Sequence, residues 1–352
     1  MRKTPAALFV LLLACTGAPQ TATSVSEPPS TTTVVTEPPT TSTAPVASTT
    51  TTAPVVETWL EPLQGTLPIL DDGRPATFLA VNDDRAGVEV DTATGEVIRM
   101  IAQVSTAEDV DNAECSGCVN AVDALWRLAD GSAHLVSECC EPASGQMYWV
   151  GPGEQVTPES NLPPESYASS GWMAAPSPTT RSVAISGTSV GLVSPELGSL
   201  WGWNIACCEF NASSSPAWSL DLSTLWVIGG DGSATSLWTS HPGTSTVSST
   251  ELPWLSGEQY VSGLGTQASG RLVTFRLTPD GDDDFENDPV RGIVFEPTGE
   301  LVAEFDVEPG SRMGGYDPSG RFLIYVDSEG TVRWQGVGQT GSLGGGYLFA
   351  SW

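Results

Sequence analysis

Lysine occurs once in the 352 residues, at Lys3, and histidine twice, at His134 and His241. Only 13 basic side chains stand against 42 Asp and Glu, a net charge of −29. That balance argues against a nucleic-acid partner, because neutralising phosphate needs clustered Lys and Arg. It argues equally against a polybasic membrane patch. Two histidines leave little material for His-based metal or triad chemistry. Beyond the first 15 residues no apolar run could span a bilayer as a helix. Helical periodicity is also missing: no stretch keeps a 3.6-residue period over three turns, and 106–113 reads as a polar connector. What the chain has instead is 37 Gly, 27 Pro, 12 Trp and 7 Cys, in a length sufficient for one large domain or two ordinary ones.

The N-terminus sets the expected compartment. Arg2 and Lys3 precede an apolar run of nine, Ala6 to Ala14, which is too short for a spanning helix and fits the core of a secretory signal. The run ends Leu12-Leu13-Ala14-Cys15, which resembles the lipobox of bacterial lipoproteins. The resemblance implies removal of residues 1–14 and attachment of acyl chains such as palmitate at Cys15. It places the mature protein on the extracytoplasmic side of the cell membrane, held there stably, since several chains anchor where one binds marginally.

Residues 15–57 are dominated by Thr, Pro and Ser and contain no aromatic residue. Such a segment cannot bury enough surface to offset its ordering entropy, and its prolines favour extended conformations. It reads as a disordered tether that would reach on the order of 120 Å if fully extended at ~3.1 Å per residue.

From residue 58 to 352 the pattern changes to short β-type runs separated by Gly, Asp and Pro. A turn followed by a β run recurs six times, at positions 73, 131, 180, 223, 270 and 320, from Asp72-Gly73-Arg74 to Asp317-Pro318-Ser319-Gly320-Arg321. Each copy is followed by a second strand–turn–strand, as in 88–101 and 292–305. Four strands per unit at this spacing is the signature of a β-propeller, and the expectation is an all-β domain of about six four-stranded blades. Seven would result if 59–70 and 344–352 built one more. One end of the chain is expected to complete a blade begun by the other, which removes an exposed sheet edge. A pair of β-sandwiches is the rival architecture. The aromatics read mainly as core between sheets. The phrase DPSGRFLIYVD at 317–327 resembles the Ser-Pro-Asp-Gly-Arg turn of TolB-like and WD40-like propellers, with Pro and Asp transposed and no Gly-His or Trp-Asp dipeptide.

In such a blade the loops between second and third strands share a face with the connectors between blades. Cys115, Cys118, Cys139, Cys140, Cys207 and Cys208 all map to that face. With Cys15 acylated, six thiols remain in an oxidising compartment, where disulfides are the favoured reading and zinc the rival. Trp201, Trp203, Glu141 and Glu209 lie in or beside the same segments and are the candidate ligand-binding residues. The loop 279–290 on that face carries Asp280, Asp282, Asp284 and Asp288, oxygen ligands suited to calcium or simply a solvated acidic run. No other cofactor is indicated.

Signatures of catalysis are weak. Gly187-Thr188-Ser189-Val190-Gly191 matches GxSxG without the strand-to-helix turn that a nucleophile elbow needs. Ser219 to Trp226 resembles a single sialidase Asp-box without its Gly. The leading expectation is therefore a lipid-anchored binding or scaffold module with an envelope protein or glycan as partner. The alternative is a propeller hydrolase or lyase acting on glycans, which requires an axial pocket with at least two carboxylates and an Arg. A purely structural envelope protein is the third reading.

Overall fold

The computed structural model describes residues 68–352 apart from 113–120, 130, 132–133, 140–144, 152–166, 170–172, 178–182, 187–189, 195–197, 204–210, 213, 231–234, 245, 257–258 and 280–287. The signal, Cys15 and the tether lie outside the described residues.

Strands follow one another with the expected turn spacing. The chain opens with β1 (Thr77–Asn82), β2 (Gly87–Asp91) and β3 (Val97–Ala102), then a short helix, α1 (Ala107–Asn112). The second sheet holds β4 (Ala121–Arg127), β5 (His134–Cys139), β6 (Gly145–Val150) and β7 (Tyr167–Ser169). The third holds β8 (Met173–Pro176), β9 (Val183–Ser186), β10 (Val190–Ser194) and β11 (Gly198–Trp203). Next come β12 (Asn211–Ala212), β13 (Ala217–Trp218), β14 (Leu225–Gly230), β15 (Thr235–Ser240) and β16 (Val247–Glu251). Here β12 and β13 both pair with β14, so they are two halves of one broken strand. Ser214 bridges the break, its hydroxyl accepting from Ile228 N at 2.9 Å. The fifth sheet is β17 (Tyr260–Thr266), β18 (Leu272–Leu277), β19 (Val290–Phe295) and β20 (Leu301–Asp306). The last run is β21 (Arg312–Tyr316), β22 (Leu323–Val326), β23 (Val332–Gly336) and β24 (Gln339–Ser342), followed by β25 (Tyr347–Ser351).

The unit count departs from six equal repeats. Five blades are each built from one continuous run of chain, whereas β1, β2 and β3 have no inner strand of their own. That place is taken by β25, antiparallel to β1 with Leu79 opposite Ser351, so the two ends of the domain share a composite sheet. Residues 344–352 therefore build no seventh blade, and Ile69 makes only an isolated bridge to Pro75.

Hydrophobic clusters lie between neighbouring sheets and close the ring. Leu79 and Val81 meet Val122 and Leu125; Trp126 meets Ala174 and Val183; Leu192 meets Trp218 and Leu225. Ile228 then meets Leu264 and Leu272, Phe275 meets Leu323 and Tyr325, and Ile324 meets Phe78 and Ala350. Strands covered on both faces read as continuous apolar runs, such as LWVIG in β14, while outermost strands such as β3 are exposed through Met100. Most tryptophans stand in these seams, including Trp126, Trp218, Trp226 and Trp334. Inner strands meet at close quarters: a Cβ on Gly314 of β21 would fall 1.8 Å from the Ala350 carbonyl oxygen of β25.

The recurring turn has a local cause. In five copies the amide of the fourth residue donates to the carbonyl of the first, at Leu70–Gly73, Leu128–Gly131, Ser219–Leu222, Gln267–Gly270 and Asp317–Gly320. The fourth residue is left-handed in each, which glycine accepts freely. The fourth copy places Leu222 (φ 60°) there, one residue before the position 223 expected from alignment. The expected polar connector at 106–113 also differs, since Thr106 and Asp109 form a reciprocal capping box that starts α1.

Candidate functional site

The innermost strands surround an axial cavity of about 920 Å³, lined from β4, β8, β13, β17, β21 and β25. Because each sheet is antiparallel, these strands all start at the face that carries the connectors between blades, and end at the opposite face that carries the recurring turn. Alanine, glycine and serine dominate the inner strands, as at Ala175, Gly263 and Gly315, and leave the axis open.

Charged residues line both ends of the cavity: Arg127, Asp317 and Arg321 lie toward the turn face, and Arg85, Asp123 and Arg312 at the connector face. Arg85, in the β1–β2 hairpin, directs Nη1 to Asp123 Oδ1 of β4 at 3.4 Å. Arg312, the first residue of β21, faces the same carboxylate electrostatically. Burial pushes the Asp123 carboxyl above the ordinary carboxylate range in spite of both guanidinium groups. Arg85 occupies the left-handed region with φ 58°, a conformation that costs a non-glycine residue about 1 kcal/mol or more. It is held there by its own amide donating to Asn82 O at 2.9 Å and by Ala86 N donating to Asn82 Oδ1.

Deeper in the wall, Arg127 of β4 donates to Glu89 of β2 at 2.9 Å, and Arg99 of β3 donates to the other Glu89 oxygen at 2.6 Å. Burial would raise the Glu89 carboxyl, but Arg127, Arg99 and the Thr77 hydroxyl together hold it below its usual value. At the turn face, burial pushes the Tyr316 phenol up to about 12, so it stays protonated, and Gln267 Nε2 donates to its oxygen.

Among the described residues two carboxylates line the cavity, Asp123 and Asp317. Asp317 is occupied by its own turn: Oδ1 accepts from Arg321 N and Phe322 N, and Oδ2 from Ser319 N. A pair of carboxylates free for glycoside chemistry is therefore missing among the described residues. The Asp-box-like segment is likewise a turn, in which the Ser219 and Ser223 hydroxyls and the Ser223 amide hold Asp221 down to about 2.

The residues singled out by sequence fall elsewhere. Trp201 and Trp203 stand on β11, the outermost strand of the third sheet, opposite Leu192 and Val190 rather than at the axis. Cys139 ends β5 opposite Ala121, at the connector face. Cys115, Cys118, Cys140, Cys207, Cys208, Glu141, Glu209, Asp280, Asp282 and Asp284 lie outside the described residues, as does Ser189 of the GxSxG match. Asp288 is buried just before β19. Among the described residues no group of three or more His, Cys, Asp or Glu side chains could hold a metal ion. Arg85, Asp123 and Arg312 carry no motif; the only sequence signal for them is the scarcity of cations in a strongly acidic chain.

No family model matches the chain, and no curated protein matches it. Similar solved structures are distant in sequence. A TolB-type protein of Agrobacterium tumefaciens is 14% identical over 77% of this chain and 90% of its own, with a TM-score of 0.46. A chain of a nidogen–laminin complex is 11% identical over 75% of this chain and 92% of its own, with a TM-score of 0.47. The β-propeller domain of Cps50 (Swd1) from Myceliophteria thermophila is 11% identical over 60% of this chain, at a TM-score of 0.41. This chain spans 64% of that domain, less than two thirds of its length.

Proposed function

We propose that the protein is a lipid-anchored extracytoplasmic binding module whose ligand enters the axial cavity from the connector face. Cys15 carries the lipid, residues 15–57 hold the propeller off the membrane, and the ring supplies a rigid, preformed site. The observation that carries this reading is the cavity itself, of about 920 Å³ and lined from all the innermost strands. That volume lies within the range typical of small-molecule sites. Apolar walls from Leu348, Phe349 and Ala175, with few polar groups at one mouth, match the composition of such sites. Trp201, Trp203, Glu141 and Glu209 then belong to an outer surface for an envelope protein or glycan, with the six thiols bracing the same face.

Two experiments test the two halves. Cys15→Ser in the native host should abolish palmitate labelling and release the chain from the membrane fraction; a variant that stays membrane-bound rejects the anchor. Ala175→Trp, which adds bulk at a half-buried position of the cavity wall, should abolish binding of a small ligand found by calorimetric screening while leaving the circular dichroism melt unchanged. Retained full-strength binding would move the site away from the axis.

A further inference from the structure

Resting on the cavity reading above, the charged residues at its mouth identify the kind of ligand. We infer that Arg312 and Arg85 receive the oxyanion head of an organic anion, a carboxylate or phosphate ester, whose apolar body lies along the cavity wall.

Scarcity makes the placement of these cations informative. The chain has twelve arginines beside its single lysine, and four of them, Arg85, Arg127, Arg312 and Arg321, line this one cavity. Arg127 is spent on Glu89, and Arg321 lies at the opposite, turn face with its guanidinium over the Phe322 ring. Arg85 and Arg312 share the single carboxylate of Asp123, so the described charged residues that line the connector-face mouth sum to +1 within a chain of −29. Arg312 is exposed, and among the described residues no carboxylate lies within 4 Å of it. Its attraction to Asp123 acts at longer range than an ion pair, which leaves its N–H donors available to a ligand. A planar guanidinium presents paired N–H groups that match a carboxylate or phosphate.

Backbone strain points to the same place. A left-handed non-glycine residue persists only where its surroundings hold it, and such residues cluster at ligand sites. Arg85 is one of two among the described residues, and its side chain is aimed at the cavity mouth. The surrounding acidic surface repels anions at long range, so only a local cationic mouth makes anion capture feasible. Leu348, Phe349 and Met313 beside it supply apolar contact for a body of several carbons.

The test is isothermal titration calorimetry on the full chain with four probes that share a tail: octanoate, octyl phosphate, octan-1-ol and octylammonium. Octanoate or octyl phosphate should bind at least roughly tenfold more tightly than the alcohol, with the tighter of the two identifying the head group, and the ammonium should not bind. Arg312→Ala should weaken the anion roughly tenfold and Arg312→Lys less, because the charge is kept and the fork lost. Arg291→Ala, which removes a cation paired with Asp306 on the fifth sheet, should change nothing. Equal binding of the alcohol or the ammonium, or an unaffected Arg312→Ala, overturns the anion assignment while leaving the cavity reading intact. If none of the four probes binds, the cavity reading falls with it.

Discussion

Arg85 Nη1 lies 3.4 Å from Asp123 Oδ1, joining the first hairpin of the domain to the inner strand of the next sheet. The seam between these sheets is filled separately by Leu79, Val81, Val122 and Leu125. The contact fixes a cation at the mouth of the axis.

Arg85→Gly separates stability from binding. Glycine removes about 1 kcal/mol of left-handed strain, and the lost ion pair is part-exposed and contributes roughly 0–1 kcal/mol. The urea midpoint should therefore stay unchanged or rise, while octanoate affinity falls roughly tenfold. A variant that is less stable yet binds normally would assign Arg85 to the fold instead.

Asp123→Asn should stabilise the protein at neutral pH. A carboxyl raised in the folded state holds its proton more tightly there than in the unfolded chain, so stability falls as pH rises from the ordinary carboxylate range through the folded value. The variant has no such loss. Urea titrations at a series of pH values should show it ahead of wild type at pH ~7 and level with it below pH ~4. The same substitution leaves two arginines unopposed and should tighten octanoate binding.

Glu89→Ala should destabilise by about 3–5 kcal/mol, because it strands Arg127 in a buried seam without its counter-charge. Glu89 is lowered rather than raised, so its contribution is present above the ordinary carboxylate value and lost as pH falls through the folded one. The acid limb of the wild-type stability curve should therefore be shallower in Glu89→Ala.

Gly314→Ala should prevent ring closure or cost at least about 3 kcal/mol, since the added methyl overlaps the Ala350 carbonyl where β21 meets β25. Gly345→Ala is the matched control, with its nearest atom, Thr331 Oγ1, 3.9 Å away. Circular dichroism melts of the two variants decide the matter; equal melting would mean that the inner strands can separate without penalty.

The repeat was legible because its causes are local. Asp317 and Gly320 make their turn through hydrogen bonds spanning three to five residues, and the same chemistry recurs at Leu70–Gly73 and Gln267–Gly270. The fourth turn closes at Leu222 rather than at 223, a shift the sequence does not show because a left-handed leucine has no mark in it. The helix α1 leaves no periodic mark in the sequence, because six residues are too few to show a helical period. Tryptophans and cysteines stand out in the sequence, whereas Arg85, Asp123 and Arg312 at the mouth of the axis have ordinary neighbours in the chain.

Strand spacing, turn type and the all-β class were settled within windows of a dozen residues, where backbone hydrogen bonding and side-chain alternation act. The pairing of β25 with β1, the five continuous blades beside a composite one, and the meeting of Arg85, Asp123 and Arg312 were decided only in three dimensions. Those three residues come from separate sheets, and the energy that brings them together is the burial of apolar seams around the ring, which is blind to what it leaves facing the axis.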